Sequence, residues 1–139
     1  MRLTTLFTVA LTLGASTSTA AQPMSNTMEE LLAGIDTIAT GGQLIMLFDN
    51  PVEELESVAE SVAAPLYHRI RATSFLSTLT KDGGREALLR LSQNEHPEIR
   101  RHAVYSFLRS TNGGLTQAEW DRVVIMLEND HVAIRQDIV

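Results

Sequence analysis

The chain has 139 residues, no cysteine, 44% hydrophobic and 20% charged residues, and 17 acidic against 11 basic side chains, a formal net charge of −6. That size holds one small domain, and the missing thiols exclude disulfides, thiolate zinc sites, iron–sulfur clusters and a cysteine nucleophile. The acidic balance argues against nucleic acid or anionic lipid as the main partner, and the composition excludes collagen-like, low-complexity and disordered chains.

Residues 1–21 read as a secretion signal. Arg2 supplies a short positive start, Leu3 to Ala15 an apolar stretch threaded with Thr, and Ser16 to Ala21 the small residues that a signal peptidase needs, with cleavage near Ala20 or Ala21. The apolar run, about 13 residues, is short of the roughly 20 that span a bilayer, so no stable membrane anchor is expected. The expectation is a periplasmic or secreted chain beginning near Gln22.

Charge divides the rest. From Gln22 to Ala64 there are eight acids and no Lys or Arg, whereas Pro65 to Val139 carries ten bases, nine of them Arg, against nine acids. Arg in place of Lys suits positions where a planar fork must pair with carboxylates or carbonyls.

In chain order, apolar spacing predicts helices near 27–40 and 44–48. The clearest start comes next, with Asn50 as N-cap, Pro51 as first helical residue, and Glu53 and Glu54 against the positive end of the dipole. Val52, Leu55, Val58, Ala59 and Val62 form one stripe of a helix over 51–63, with its Glu residues opposite. Further helices follow over 65–79, 85–93 and 97–110. Thr116 and Glu119 read as a capping box opening a helix over 117–128, in which Trp120, Val123, Val124 and Leu127 share a core face, and a last helix starts at 131. The pairs Gly41-Gly42, Gly83-Gly84 and Gly113-Gly114 mark places where a helical pattern stops or restarts. No alternating segment is long enough for a strand, and such short connections fold neighbouring helices back antiparallel.

Internal repetition is present. Residues 93–104, QNEHPEIRRHAV, recur 35 positions later as ENDHVAIRQDIV, and Leu88 to Leu91 correspond to Val123 to Met126. A weaker copy lies 32 residues upstream, where Tyr67-His68-Arg69 answers Ile99-Arg100-Arg101.

The segment Glu95-x-Pro97-x-Ile99-Arg100-x-x-Ala103, followed by Phe107-Leu108, resembles the first-helix signature of HEAT repeats, and Asp130-x-x-x-Ile134-Arg135 resembles its opening half. The likeness covers 65–139. The 22–64 segment departs from it, matching only at Leu55 and Ala59 with Glu56 in place of Arg, and reads as an acidic element or divergent capping repeat. The resemblance implies an all-α, short right-handed solenoid of antiparallel helical hairpins, the last one incomplete, in which small Ala103 lets paired helices approach closely. It also implies a structural ladder of Glu95 and Asp130 with Arg100 and Arg135.

Candidates for chemistry are few. His96 and His131 are equivalent by repeat, too far apart to share a metal ion, and read as exposed turn residues. Glu53, Glu54, Glu56 and Glu60 form an acidic face, plainly read as solvated and otherwise as a partner-facing surface. No metal-binding, phosphate-loop or nucleophile-elbow motif is present, so no catalytic residue, cofactor or metal is assigned. The expected role is an exported, non-catalytic scaffold for a protein partner. The alternative, suggested by the family, is a lyase- or isomerase-like protein binding a cofactor or tetrapyrrole. Ile138 and Val139, apolar with no following helix, predict self-association through the C-terminal edge.

Overall fold

A computed structural model describes residues 24–36, 38–111 and 114–129, which form seven helices and no strand. The expected signal segment, the helix expected from 131, and Asp130, His131, Arg135, Ile138 and Val139 lie outside the described residues. No helix among the described residues is long and apolar enough to cross a membrane.

Helix α1 spans Asn26–Ala33, opened by Ser25, whose hydroxyl accepts from the Met28 N–H at 3.2 Å. It is shorter than the expected 27–40, because Gly34 turns extended and closes the helix with its N–H on the Glu30 carbonyl. The glycine pair that follows begins a helix. In α2, Gly41–Leu47, Thr40 caps the Gln43 N–H while the Gln43 side chain accepts from the Thr40 N–H at 2.9 Å, a reciprocal capping box. Gly41 is required here, since an added Cβ would collide with the Thr78 carbonyl.

Helix α3, Pro51–Glu60, starts where expected, although the Asn50 side chain makes no capping bond. It ends before 63, which leaves Val62 outside the apolar stripe and 90% exposed. Helices α4, Leu66–Leu76, and α5, Gly84–Leu91, join through Gly83 at φ +96°, and Gly84 sits against the carbonyls of Leu76 and Leu79 with no room for a Cβ. Helix α6 spans Pro97–Ser110 and α7 spans Gln117–Asn129. The capping box at α7 is as expected, with the Glu119 carboxylate accepting from the Thr116 N–H at 2.8 Å.

Helix α3 packs on α4 and α5 on α6 as hairpins, and the hairpins lie side by side through α3 on α5 and α4 on α6. On one flank α1 packs on α4 and α2 on α3. The division expected at Ala64–Pro65 falls in the connection within the first hairpin. Leu55, Leu76, Leu88, Leu91, Ile99 and Phe107 fill the core, and the fully buried Ala59, Ala72, Ala87 and Ala103 keep the helices close.

Burial revises the upstream repeat. The buried residues Ala72, Thr73, Phe75 and Leu76 of α4 correspond to Ala103, Val104, Ser106 and Phe107 of α6 at a spacing of 31, one less than the sequence suggested. At 31 the arginines fall into phase, Arg69 with Arg100. Both bond to main-chain carbonyls: Arg69 Nε donates to the Ala59 carbonyl at 2.9 Å, and Arg100 Nη1 donates to the carbonyls of Asn94 and Glu95 at 2.9 and 3.0 Å. Arg69 thus satisfies a carbonyl left open at the end of α3, whereas Arg100 closes the turn that leads from α5 into its own helix. Helix α3 has no basic residue in its own last turn, so Arg69 also places a cation at the negative end of that dipole.

Candidate functional site

Among the described residues, ion pairs join α3 to α5 and α5 to α7, and each links residues 34 apart. Arg90 of α5 grips Glu56 of α3 with a two-pronged fork, Nε to Oε1 and Nη2 to Oε2, both at 2.7 Å. Arg85, one turn and a half earlier on α5, pairs with Glu119 of α7 and lies 5.3 Å over the Phe107 ring of α6. Glu56 holds the Arg90 guanidinium above the ordinary arginine value. The bonds from Thr116 N–H and hydroxyl, helped by Arg85, hold the Glu119 carboxyl below the usual carboxylate value.

The expected turn residues are arranged differently. At the α5–α6 turn the acceptors are Asn94 Oδ1, which takes the His96 N–H at 2.9 Å, and His96 Nδ1, which takes the Glu98 N–H at 3.3 Å. His96 is thus a half-buried N-cap rather than an exposed turn histidine, while Glu95 is exposed. The other half of the expected ladder, Asp130 and Arg135, lies outside the described residues.

Of the four glutamates expected on one acidic face, Glu53, Glu56 and Glu60 line one shallow groove along α3. Glu56 is committed to Arg90, and its side chain is only 14% exposed. Glu53 and Glu60 are exposed. Glu53 and Glu54 also stand on the rim of a larger cleft, about 840 Å³, between α1 and the α3–α4 hairpin. Its third carboxylate is Glu29, on α1. Buried Met28 and Val58 and the half-buried Met24 and Ala64 make its lining partly apolar. His68 of α4 also lines it, with an inaccessible Nδ1 that takes no hydrogen bond. Among the described residues, no Lys or Arg lines the cleft. Sequence periodicity does not reveal this site, because Glu29 and Glu53 are brought together by the packing of α1 across the hairpin.

A second, smaller depression of about 500 Å³ lies between α5 and α7, lined by Leu89, Ile125 and Met126 with Glu86, Arg90 and Arg122 of both signs. Trp120, expected in the core, is 49% exposed. The buried residues of described α7 are Val123 and Met126, so its inward stripe runs beside Trp120 rather than through it. Among the described residues, no three or more His, Asp or Glu side chains are grouped to hold a metal ion.

No family model, curated protein or solved structure matches the chain.

Proposed function

We propose that this chain is an exported, non-catalytic scaffold of HEAT-like helical repeats that holds a protein partner in the periplasm or outside the cell, through a basic segment of that partner. The cleft carries the reading: partly apolar walls, carboxylates of Glu29, Glu53 and Glu54, and no Lys or Arg among its described lining. A basic side chain entering it gains charge-assisted hydrogen bonds at the rim, while its aliphatic stem covers Met28 and Val58. The side-by-side hairpins, each with an arginine of its second helix bonded to main-chain carbonyls before that helix, support the repeat reading. The opening 21 residues support export.

Crosslinking and mass spectrometry in native envelope, followed by retention of the captured protein on the purified chain, tests this. The expected result is a stoichiometric partner whose basic segment crosslinks near α1 and α3, weakened about tenfold by Glu53→Gln with Glu54→Gln and weakened again by salt. Retention that ignores both changes overturns the assignment of the cleft. A pigment or metal that co-purifies in stoichiometric amount overturns the non-catalytic scaffold.

A further inference from the structure

The helices of the stack differ in charge. Helix α3 bears Glu53, Glu54, Glu56 and Glu60 and no base, whereas α4 and α6 together bear Arg69, Arg71, Arg100, Arg101 and Arg109 against one acid, Glu98. Arg69 and Arg100 serve the main chain, and Arg101 answers Glu98 at 2.6 Å. The other two arginines are built alike. Arg71 lies 5.6 Å over the ring of Tyr67 and Arg109 lies 5.6 Å over the ring of Tyr105, and in each pair the tyrosine precedes its arginine by one helical turn. Arg71 is braced further, its guanidinium 5.2 Å from the Phe75 ring and its Nη1 donating to the Tyr67 hydroxyl at 3.1 Å. Neither tyrosine belongs to the core, since Tyr67 is 46% and Tyr105 47% exposed.

The repeat sets the two pairs on one surface. They stand 38 residues apart, which is the spacing of 31 that relates α4 to α6 and two helical turns more, so Tyr105 and Arg109 leave α6 on the side on which Tyr67 and Arg71 leave α4. The two helices pack on each other. With axes about 8–10 Å apart and an advance of about 10 Å over two turns, the pairs lie about 14 Å from one another, the length of about four residues of extended chain. Stacking engages the flat face of a guanidinium, while the paired donors that fit a carboxylate lie along its edge. Charge complementarity therefore selects carboxylates, and the exposed tyrosine rings offer cover to the aliphatic stems that carry them. A nucleic acid is disfavoured, since its phosphates continue beyond a surface two helices wide onto a chain of formal net charge −6.

We infer that the Tyr67–Arg71 and Tyr105–Arg109 pairs form a binding surface for an acidic segment of a protein partner, distinct from the cleft and opposite to it in charge. The probe is an unlabelled peptide of Gly and Ser carrying two Glu about four residues apart, titrated into the isotope-labelled full chain. Saturable amide shifts are expected along α4 and α6, with affinity lowered about tenfold by Arg109→Gln and about tenfold by Arg71→Gln. Arg71 also reaches the Ile35 carbonyl, so Arg109→Gln, at an exposed position, is the variant whose melting temperature stays unchanged. Arg109→Lys keeps the charge without the planar fork and recovers only part of the loss. Absence of a saturable shift at millimolar peptide, shifts confined to other helices, or affinity indifferent to both Gln variants overturns the proposal. Full recovery by Arg109→Lys overturns the stacked fork, and a thymidine oligonucleotide that binds this surface more tightly than the peptide makes the occupant a nucleic acid. Glu53→Gln with Glu54→Gln leaves the affinity for the acidic peptide unchanged, so this surface and the cleft stand or fall separately.

Discussion

The α1–α2 flank and the α3–α6 hairpins solve the same packing problem with different materials. Among the hairpins, arginines cross the seams: Arg69 to the Ala59 carbonyl within the first, Arg90 to Glu56 between the two, Arg85 to Glu119 beyond them. The flank has no arginine of its own. It is fastened by Met28, Leu32, Leu44 and Phe48 in the core, by the close approach at Gly41, and by Arg71 of α4 reaching the Ile35 carbonyl at 3.4 Å. The difference teaches that an arginine seam is directional and position-specific, whereas a seam of aliphatics and glycine is set by shape alone. The second kind gives surfaces that a foreign helix can imitate.

Substitutions at these seams probe that contrast, the largest effect first. Replacing Arg69 by Met keeps most of the buried stem but leaves the Ala59 carbonyl without its donor and α3 without a cation at its end. A loss of about 1–3 kcal/mol is expected in urea unfolding, felt by the whole stack. An effect below a few tenths would mean that the seam is held by packing alone.

The glycine pair of α2 supplies an internal control. Gly41→Ala drives a methyl group into the Thr78 carbonyl and is expected to cost about 1–3 kcal/mol, whereas Gly42→Ala meets nothing within 4 Å and gains about 0.4–1 kcal/mol from reduced freedom of the unfolded chain. Amide exchange should show the Gly41→Ala damage concentrated in α1 and α2, with α5 and α6 protected. Equal loss in all helices would show that the flank and the hairpins unfold as one.

The smallest effect is electrostatic and concerns α7. Its capping carboxylate, Glu119, titrates below its ordinary value of 4.5, so its contribution to stability is complete above that pH and is lost as the pH falls through the lowered value. Glu119→Gln should remove that part of the acid sensitivity, seen as converging melting temperatures of variant and parent at low pH. The Glu56–Arg90 pair is of similar rank. With the arginine side chain 59% exposed, a double-mutant cycle should find about 0.2–1 kcal/mol that fades with salt.

How far these features are legible in the sequence depends on whether they are local. Pro51, the capping box of Thr116 and Glu119, and the all-helical periodicity follow from chemistry within one turn, and the helices begin accordingly. The start of α2 carries the same kind of signal, Thr40-x-x-Gln43, which outweighs the breaking tendency of the glycines beside it. Helix ends are less legible, since Ala33 and Glu60 terminate helices where apolar spacing continues. Trp120 shows the limit: periodicity gives a stripe, but only the neighbouring helix decides which edge of it is inside. The cleft is beyond reach in one dimension, because Glu29 and His68 share it only after three helices have packed.

One property of α5 reaches past its own bonds. It offers Arg90 to the helix behind it and Arg85 to the helix ahead, while the positions 34 residues away from them on the outer sides, Val124 on α7 and Pro51 on α3, can return neither. A misthreaded stack that skipped the middle unit, or a domain swap that set α3 of one molecule on α7 of another, would strand Glu56 against Val124 and Pro51 against Glu119. Similar repeats run the hazard of mistaken identity, and here two guanidinium groups act as a password for the order of the units.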